Sequence, residues 1–132
     1  MPYVQSGATR IWYETFGSGE PLLLIMGLSG TIQSWGLQIP ELARQYQLIC
    51  LDNRGVGRSD KPLGPYSIEG MAEDALTVLD AAGVDSAHVL GVSMGGLVAQ
   101  ALYHQRPARV RSLVLGCTGA GPNDPNYVPP AP

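Results

Sequence analysis

The stretch Val89–Gly96, VLGVSMGG, decides the fold of this chain, because it joins a buried strand to a helix through one sharp turn. The apolar run Ala87–Val92 is typical of a strand buried on both faces, and the segment Met94–Gln105 is typical of an amphipathic helix. The turn contains three glycines, at Gly91, Gly95 and Gly96. Side chains at these positions would clash with the neighbouring strand and helix, so the glycines permit a turn that raises Ser93 at the strand's end.

Further strands and helices alternate along the chain on both sides of this unit. Short apolar runs predict three more buried strands, over Pro21–Met26, Gln47–Leu51 and Arg109–Gly116. Helices are predicted over Ser34–Arg44, although Pro40 cannot donate a backbone bond there, and over Ser67–Ala82, which begins at a capping serine and ends before Gly83. Strands that alternate with helices predict an α/β fold with a mostly parallel sheet and helices on both faces.

The N-terminal segments Pro2–Gln5 and Thr9–Phe16 alternate between apolar and polar residues and predict an antiparallel hairpin. In a parallel sheet, ligands bind where the strands' carboxyl ends meet. The chemistry is therefore expected at the edge of the sheet that holds Ser93.

The pattern Gly91-Val92-Ser93-Met94-Gly95 matches G-x-S-x-G between a strand and a helix, and this context indicates a serine nucleophile. Acyl transfer also needs two N–H donors aimed at the oxyanion of the tetrahedral intermediate. We expect one from the backbone of Met94 and the other from Leu28 in the segment Gly27–Gly30, called the oxyanion loop below. The alternatives are an incidental serine in a glycine-rich turn and a merely flexible loop.

In these motifs the chain resembles the α/β-hydrolase superfamily, in particular its cofactor-free group of 3-oxoadipate enol-lactonase-like enzymes, esterases, haloperoxidase-like perhydrolases and C–C bond hydrolases. The matching residues are Pro21–Gly27, Trp35, Asp52–Ser59 (DNRGVGRS, family pattern D-x-R-G-x-G-x-S) and Gly91–Gly96. Met26 departs from the His-Gly pair that many members carry there, but a backbone donor does not depend on that side chain.

The resemblance implies the N-terminal part of an α/β-hydrolase fold, no cofactor or metal, and a small-molecule acyl substrate such as an ester or lactone. A serine at position 93 excludes the branches that use an aspartate nucleophile. Asp52 and Arg54 are interpreted as turn-stabilising residues, since a hydrogen-bonded Asx-type contact explains them without catalysis.

A serine nucleophile needs a base and an acid that orients it, in the family order serine, acid, histidine. His104 lies about 16 Å along the following helix, and His88 lies about 16 Å back along the strand. Both are therefore interpreted as structural or surface residues, and Asp124 is assigned no role. The resemblance implies that the acid and base follow strands lying beyond this sequence.

Without those strands, Arg109–Gly116 would form an unpaired apolar sheet edge, which is prone to pair with another chain. We therefore expect a second polypeptide that carries the C-terminal half or, alternatively, self-association through this edge. Residues 1–116 are expected to form the N-terminal portion of the core. Residues 117–132, rich in Pro and Gly, are expected to form a linker toward a cap region.

The composition argues against several other classes of protein. The formal net charge is −3, only 14% of residues are charged, and no run of Lys or Arg suggests nucleic acid or a membrane surface as a partner. No leader or membrane span is recognised, so a cytoplasmic location is expected. Cys50 and Cys117 lack metal-site spacing and are expected to be unpaired core thiols.

Two hypotheses follow from the sequence. The first is a serine hydrolase that acts on an ester, lactone or related acyl bond through an acyl-enzyme and takes its acid and base from another chain. The second is a non-catalytic fold fragment or pseudoenzyme that keeps the scaffold for binding or assembly. The intact turn at Ser93 favours the first, and the missing base favours the second for the isolated chain.

Overall fold

Six strands form one sheet in the computed structural model, which describes residues 2–121 and 125. The strands are β1 (Tyr3–Ser6), β2 (Thr9–Phe16), β3 (Glu20–Ile25), β4 (Tyr46–Leu51), β5 (Ala87–Val92) and β6 (Val110–Gly116). Their order across the sheet is β1-β2-β4-β3-β5-β6. The pairs β1–β2 and β2–β4 are antiparallel, and the remaining pairs are parallel. The predicted α/β class and the mostly parallel sheet are confirmed.

The N-terminal hairpin is present with the predicted strands. Ser6 pairs with Thr9 at its closed end, so the turn has only two residues, Gly7 and Ala8. Gly7 has a φ of +58°, a left-handed conformation that favours glycine. Through β2 the hairpin joins the parallel part of the sheet.

Two long helices cover one face of the sheet: α2 (Ile68–Ala81) and α3 (Met94–Gln105). The predicted capping of α2 is confirmed, because the Ser67 side chain accepts a hydrogen bond from the Gly70 N–H at 3.0 Å. Both helices lie where the sequence pattern predicted them. Their apolar faces cover a core that includes Leu23, Ile25, Val78 and Leu102.

The prediction of one helix over Ser34–Arg44 is wrong. A 3₁₀ helix spans Ile32–Trp35, and a separate short α1 spans Ile39–Leu42. Pro40 lies in the first turn of α1, where a missing N–H is tolerated, so the chain starts a new helix there. This segment covers the opposite face of the sheet, where Trp35 packs with Leu24.

The strands' alternating side chains fill both layers of the core. Leu22 and Leu24 of β3 face α1, whereas Leu23 and Ile25 face α2 and α3. The carboxyl ends of the parallel strands meet at one edge, so the segments after β3, β4, β5 and β6 come together. This edge holds the candidate site.

Candidate active site

Ser93 lies at the turn between β5 and α3 in a strained backbone conformation. Its φ of +56° and ψ of −123° are unusual for a residue with a side chain, and such strain costs about 1–3 kcal/mol. The Ser93 N–H donates to the Gly116 carbonyl at 2.9 Å and ties the turn to β6. The side chain is exposed at the end of the strand. An exposed hydroxyl at a helix N-terminus is available to a ligand.

Close packing explains the glycines on both sides of Ser93. A Cβ at Gly91 would lie 2.9 Å from the Cβ of Ala99 in α3. A Cβ at Gly95 would lie 2.7 Å from the Met26 carbonyl oxygen, at the end of the neighbouring strand. Gly96 has the Thr118 side chain against it. A Cβ at Gly91 or Gly95 would therefore push the turn away from its helix or from the strand beside it.

The oxyanion loop turns directly beside Ser93. A Cβ at Gly27 would lie 2.9 Å from the Ser93 Cβ and 3.4 Å from its Oγ. The loop closes through a hydrogen bond from the Gly30 N–H to the Gly27 carbonyl at 3.1 Å, with Ser29 at a φ of +63°. Leu28 and Ser29 are therefore the central residues of a β-turn next to the serine.

The two predicted oxyanion donors border one cavity. Leu28 and Met94 both line a cavity of about 320 Å³, together with Asn53, Val56 and Tyr66. Within residues 2–121 and 125, neither the Leu28 nor the Met94 N–H donates to a protein acceptor. Both N–H groups are thus unoccupied within this part of the chain.

The segment after β4 is held by two buried carboxylates. Asp52 accepts hydrogen bonds from the Ile32 N–H at 2.8 Å and the Arg58 N–H at 2.9 Å, so it has the expected structural role. Neither bond is the Asx-type contact that was expected, because Ile32 lies 20 residues before Asp52 and Arg58 lies six residues after it. Arg54 makes a bidentate ion pair with Asp74 of α2, at 2.6 and 2.7 Å. The role of Arg54 is structural, but it acts across elements rather than within its own turn.

The sequence reasoning missed Asp74 and Asn53. Asp74 is only 1% exposed and also accepts a hydrogen bond from the Ser6 hydroxyl at 2.7 Å. It lies between Met71 and Ala75 on the apolar stripe of α2, and a charge there is a signal for a buried partner. Asn53 donates from Nδ2 to the Met26 carbonyl at 3.1 Å, a contact that no local pattern indicates.

The histidines lie away from Ser93, as expected. His104 is exposed within α3. His88, near the start of β5, lies 2.6 Å through Nδ1 from the Ser112 Oγ and 3.5 Å through Nε2 from a Glu20 carboxylate oxygen. These partners lie toward the opposite end of the strands, so His88 does not reach Ser93. Within the described residues, no histidine is positioned to activate Ser93.

Other sequence expectations have mixed outcomes. Cys50 and Cys117 are unpaired as expected, but Cys117 is exposed, so its assignment as a core thiol is wrong.

No helix in the described part of the chain is long and apolar enough to cross a membrane. A cytoplasmic location and the division at residue 116 stay predictions. Most of the predicted linker (122–124 and 126–132) lies outside the described residues.

A mostly parallel sheet, an antiparallel N-terminal hairpin and a glycine-framed serine at the end of β5 define the α/β-hydrolase class of proteins. The chain belongs to this family, since a family model described as "alpha/beta hydrolase fold" matches residues 20–131.

Relatives and solved structures agree with this assignment. The chain is 45% identical over 115 residues to the "Putative carbamate hydrolase RutD" of Azorhizobium caulinodans, covering 87% of this chain and 43% of that protein. It is 36% identical over 110 residues to 3-oxoadipate enol-lactonase 2 of Acinetobacter baylyi, a match that covers 82% of this chain and 41% of that protein. The structure described as "Est816 as an N-Acyl homoserine lactone degrading enzyme" matches with a TM-score of 0.87 and 36% identity. This match covers 89% of this chain and 46% of the Est816 chain. The chain therefore spans less than half the length of these relatives.

Proposed function

We propose that this chain carries the nucleophile and the oxyanion hole of a serine hydrolase that cleaves esters, lactones or related acyl bonds. The observation that carries the proposal is the position of Gly27 against Ser93, which brings the oxyanion loop beside the serine hydroxyl. The strained turn and the helix N-terminus after it support the same role.

In this reaction the base takes the proton of the Ser93 hydroxyl while the Oγ attacks the carbonyl carbon of the substrate. The carbonyl oxygen gains the negative charge and accepts hydrogen bonds from the N–H groups of Leu28 and Met94. The intermediate collapses, the alcohol leaves with a proton from the base, and an acyl group stays on Ser93. Water then gives a proton to the same base and attacks the acyl carbon. The bond between the acyl carbon and the Ser93 Oγ breaks, the acid leaves, and the base returns the proton to Ser93.

The cavity bordered by Leu28 and Met94, the residue after Ser93, supports a small, largely uncharged substrate. Apolar side chains supply much of its wall, including Leu28, Val56, Ile68 and Met71. The names of the similar proteins refer to carbamate, enol-lactone and N-acyl homoserine lactone chemistry, and all of these substrates contain an acyl carbon open to attack. We propose a substrate within this range of acyl bonds.

We propose that the base and the acid lie in the C-terminal half of the fold, outside these 132 residues, and that this half pairs with the edge of β6. β6 is the last described strand at its side of the sheet, and Val114 and Leu115 are 55% and 43% exposed there. An exposed apolar edge of this kind pairs readily with another strand. Self-association through the same edge is the alternative.

A non-catalytic role in binding or assembly is the second candidate function. The observation that favours it is the distance of His88 and His104 from Ser93 within the described residues. Without a base the serine hydroxyl remains protonated and a weak nucleophile. This role would use the same cavity and sheet edge without turnover.

Hydrolysis of p-nitrophenyl acetate tests the proposal. The reconstituted enzyme for this test is the chain co-expressed with the C-terminal portion of the Azorhizobium relative. We expect Ser93→Ala to lower kcat by at least about 10⁴-fold, since removal of a nucleophile costs that much or more. Ser112→Ala is the matched control, because Ser112 also has a histidine beside it, and it should leave kcat unchanged. Retained activity in Ser93→Ala, or its loss in Ser112→Ala, would contradict the proposal.

A further inference from the structure

We propose that Asn53 is a positioning residue that sets the orientation of the oxyanion loop through the carbonyl group of Met26. The inference rests on the proposed function, because it assigns the reason why the Leu28 N–H is correctly aimed. The contact that carries it is the hydrogen bond from Asn53 Nδ2 to the Met26 oxygen at 3.1 Å.

The Met26 carbonyl lies at the point where three parts of the site meet. It ends the segment that leads into Gly27, and it packs so close to Gly95 that a Cβ there would lie 2.7 Å away. Asn53 contacts it from the carboxyl end of β4. Because a peptide group is planar, fixing the Met26 carbonyl also fixes the direction in which the chain enters Gly27 and Leu28.

Asn53 is itself held rigidly from both sides. The carboxylate of Asp52 before it binds two backbone N–H groups, and the guanidinium of Arg54 after it is paired with the buried Asp74. Asn53 is only 3% exposed. Its amide therefore has a fixed position from which to restrain the loop.

The oxygen atom of the Asn53 side chain indicates that this residue does more than stabilise the fold. Its Oδ1 is buried and has no hydrogen-bond partner within residues 2–121 and 125. A buried acceptor without a partner destabilises the folded chain, and an apolar group of similar shape would avoid that cost. We therefore assign the function of Asn53 to its donor, which orients the Met26 carbonyl.

Two variants separate positioning from stability. Asn53→Leu keeps the branched shape and the number of side-chain heavy atoms but removes the donor. It leaves the half-buried Met26 carbonyl without this donor and also removes the buried, unpaired Oδ1, so the two effects offset each other. The folded chain should therefore melt within a few degrees of the parent while the oxyanion loop loses its restraint. Val84→Ala is the control, because Val84 is a buried core residue that lies just before β5, at the opposite end of this strand from Ser93. This control should lose stability but keep the loop ordered.

The rate of amide hydrogen exchange at Gly30 in the 132-residue chain measures how often the oxyanion loop opens, because the Gly30 N–H forms the hydrogen bond that closes its turn. We expect exchange at least tenfold faster in Asn53→Leu and unchanged in Val84→Ala. In the reconstituted enzyme, Asn53→Leu should lower kcat for p-nitrophenyl acetate about 10- to 100-fold with KM nearly constant, since an oxyanion donor acts in the transition state.

Unchanged Gly30 exchange in Asn53→Leu would overturn the assignment, and so would an effect on KM alone or an equal loss of kcat in Val84→Ala. A Ser93→Ala variant measured in parallel distinguishes the two proposals. Loss of activity in Ser93→Ala with normal kcat in Asn53→Leu overturns only the role of Asn53. Retained activity in Ser93→Ala overturns the proposed function and, with it, the catalytic meaning of this loop.

Discussion

Gly27 packs directly against Ser93, so closely that a single added methyl group would lie 2.9 Å from the serine Cβ. This contact joins the loop after β3 to the turn after β5, although 65 positions separate the two residues in the sequence. A real Cβ does not approach another carbon so closely, so the two segments could not both keep their positions with a side chain at residue 27. The geometry of the proposed oxyanion hole therefore depends on a glycine.

Gly27→Ala tests this dependence. The methyl group must push the oxyanion loop away from Ser93, and a displacement of about 1 Å in a catalytic group can cost about 100-fold in rate. We expect kcat for p-nitrophenyl acetate to fall about 10- to 100-fold in the reconstituted enzyme. Gly119→Ala is the matched control, because a Cβ there meets nothing within 4 Å, and it should retain full activity. Normal kcat in Gly27→Ala would show that the contact is not needed.

Gly95→Ala tests the packing of the turn against β3. The added Cβ would lie 2.7 Å from the Met26 oxygen, and overpacking of this kind costs about 1–3 kcal/mol. We expect the free energy of unfolding, measured in urea, to fall by that amount. Gly116→Ala should be nearly neutral, because its Cβ would lie at an ordinary 3.6 Å from Val92. Equal stability of the two variants would contradict this account of the turn.

Asp74→Ala tests the buried ion pair that anchors the segment after β4. The change leaves the Arg54 guanidinium, which is 22% exposed, without its partner, and it also removes the acceptor for Ser6. Breaking a buried pair typically costs about 3–5 kcal/mol, so we expect a loss near the lower end for a partly exposed arginine. Glu41→Ala removes an exposed pair with Arg44 and should cause no measurable change. Urea unfolding of both variants gives the comparison.

The two cysteines should differ sharply in reactivity. Burial raises the pKa of the Cys50 thiol to about 12, so at pH 8 almost none of it is the reactive thiolate. Cys117 is exposed. With iodoacetamide at pH 8, mass spectrometry should find one modification, at Cys117, and a second only after unfolding in denaturant. Rapid modification of Cys50 in the native chain would mean that β4 is not buried as described.

The edge strand β6 should make the isolated chain associate. Its apolar residues Val114 and Leu115 remain half exposed, and sedimentation should give a mass above the 14.0 kDa of one chain. Val114→Lys should shift the chain toward the monomer, because a charge on an edge strand opposes pairing. Leu63→Lys changes a 99% exposed leucine away from the sheet and should have no effect. A stable parent monomer that unfolds cooperatively would contradict the prediction.

The sequence predicted the surroundings of Ser93 well because the signals there are local. An apolar run predicts β5, an amphipathic pattern predicts α3, and the glycines at their junction indicate a tight turn. Likewise, Ser67 could be read as the start of α2 because a capping side chain acts within three residues. Such patterns place elements without knowledge of the rest of the fold.

The contacts that support the site could not be predicted in this way because they join distant segments. Asn53 and Met26 come into contact only when β3 and β4 lie side by side. Position 53 is the unspecified residue of the family pattern D-x-R-G-x-G-x-S, so the pattern gave no reason to select Asn53. The helix predicted over Ser34–Arg44 failed for a related reason. Its 3₁₀ start is anchored by the Ile32 N–H on Asp52, a tertiary hydrogen bond that overrides the apolar spacing.

Labelling with a fluorophosphonate, followed by peptide mapping, tests the central claim most directly. The reagent forms a stable adduct only with an activated serine. We predict one adduct, on Ser93, when the chain is assembled with the C-terminal portion of its relative, and none on the chain alone. An adduct on Ser112, or no adduct on Ser93 in either state, would contradict the assignment of this chain as the nucleophile-bearing part of a serine hydrolase.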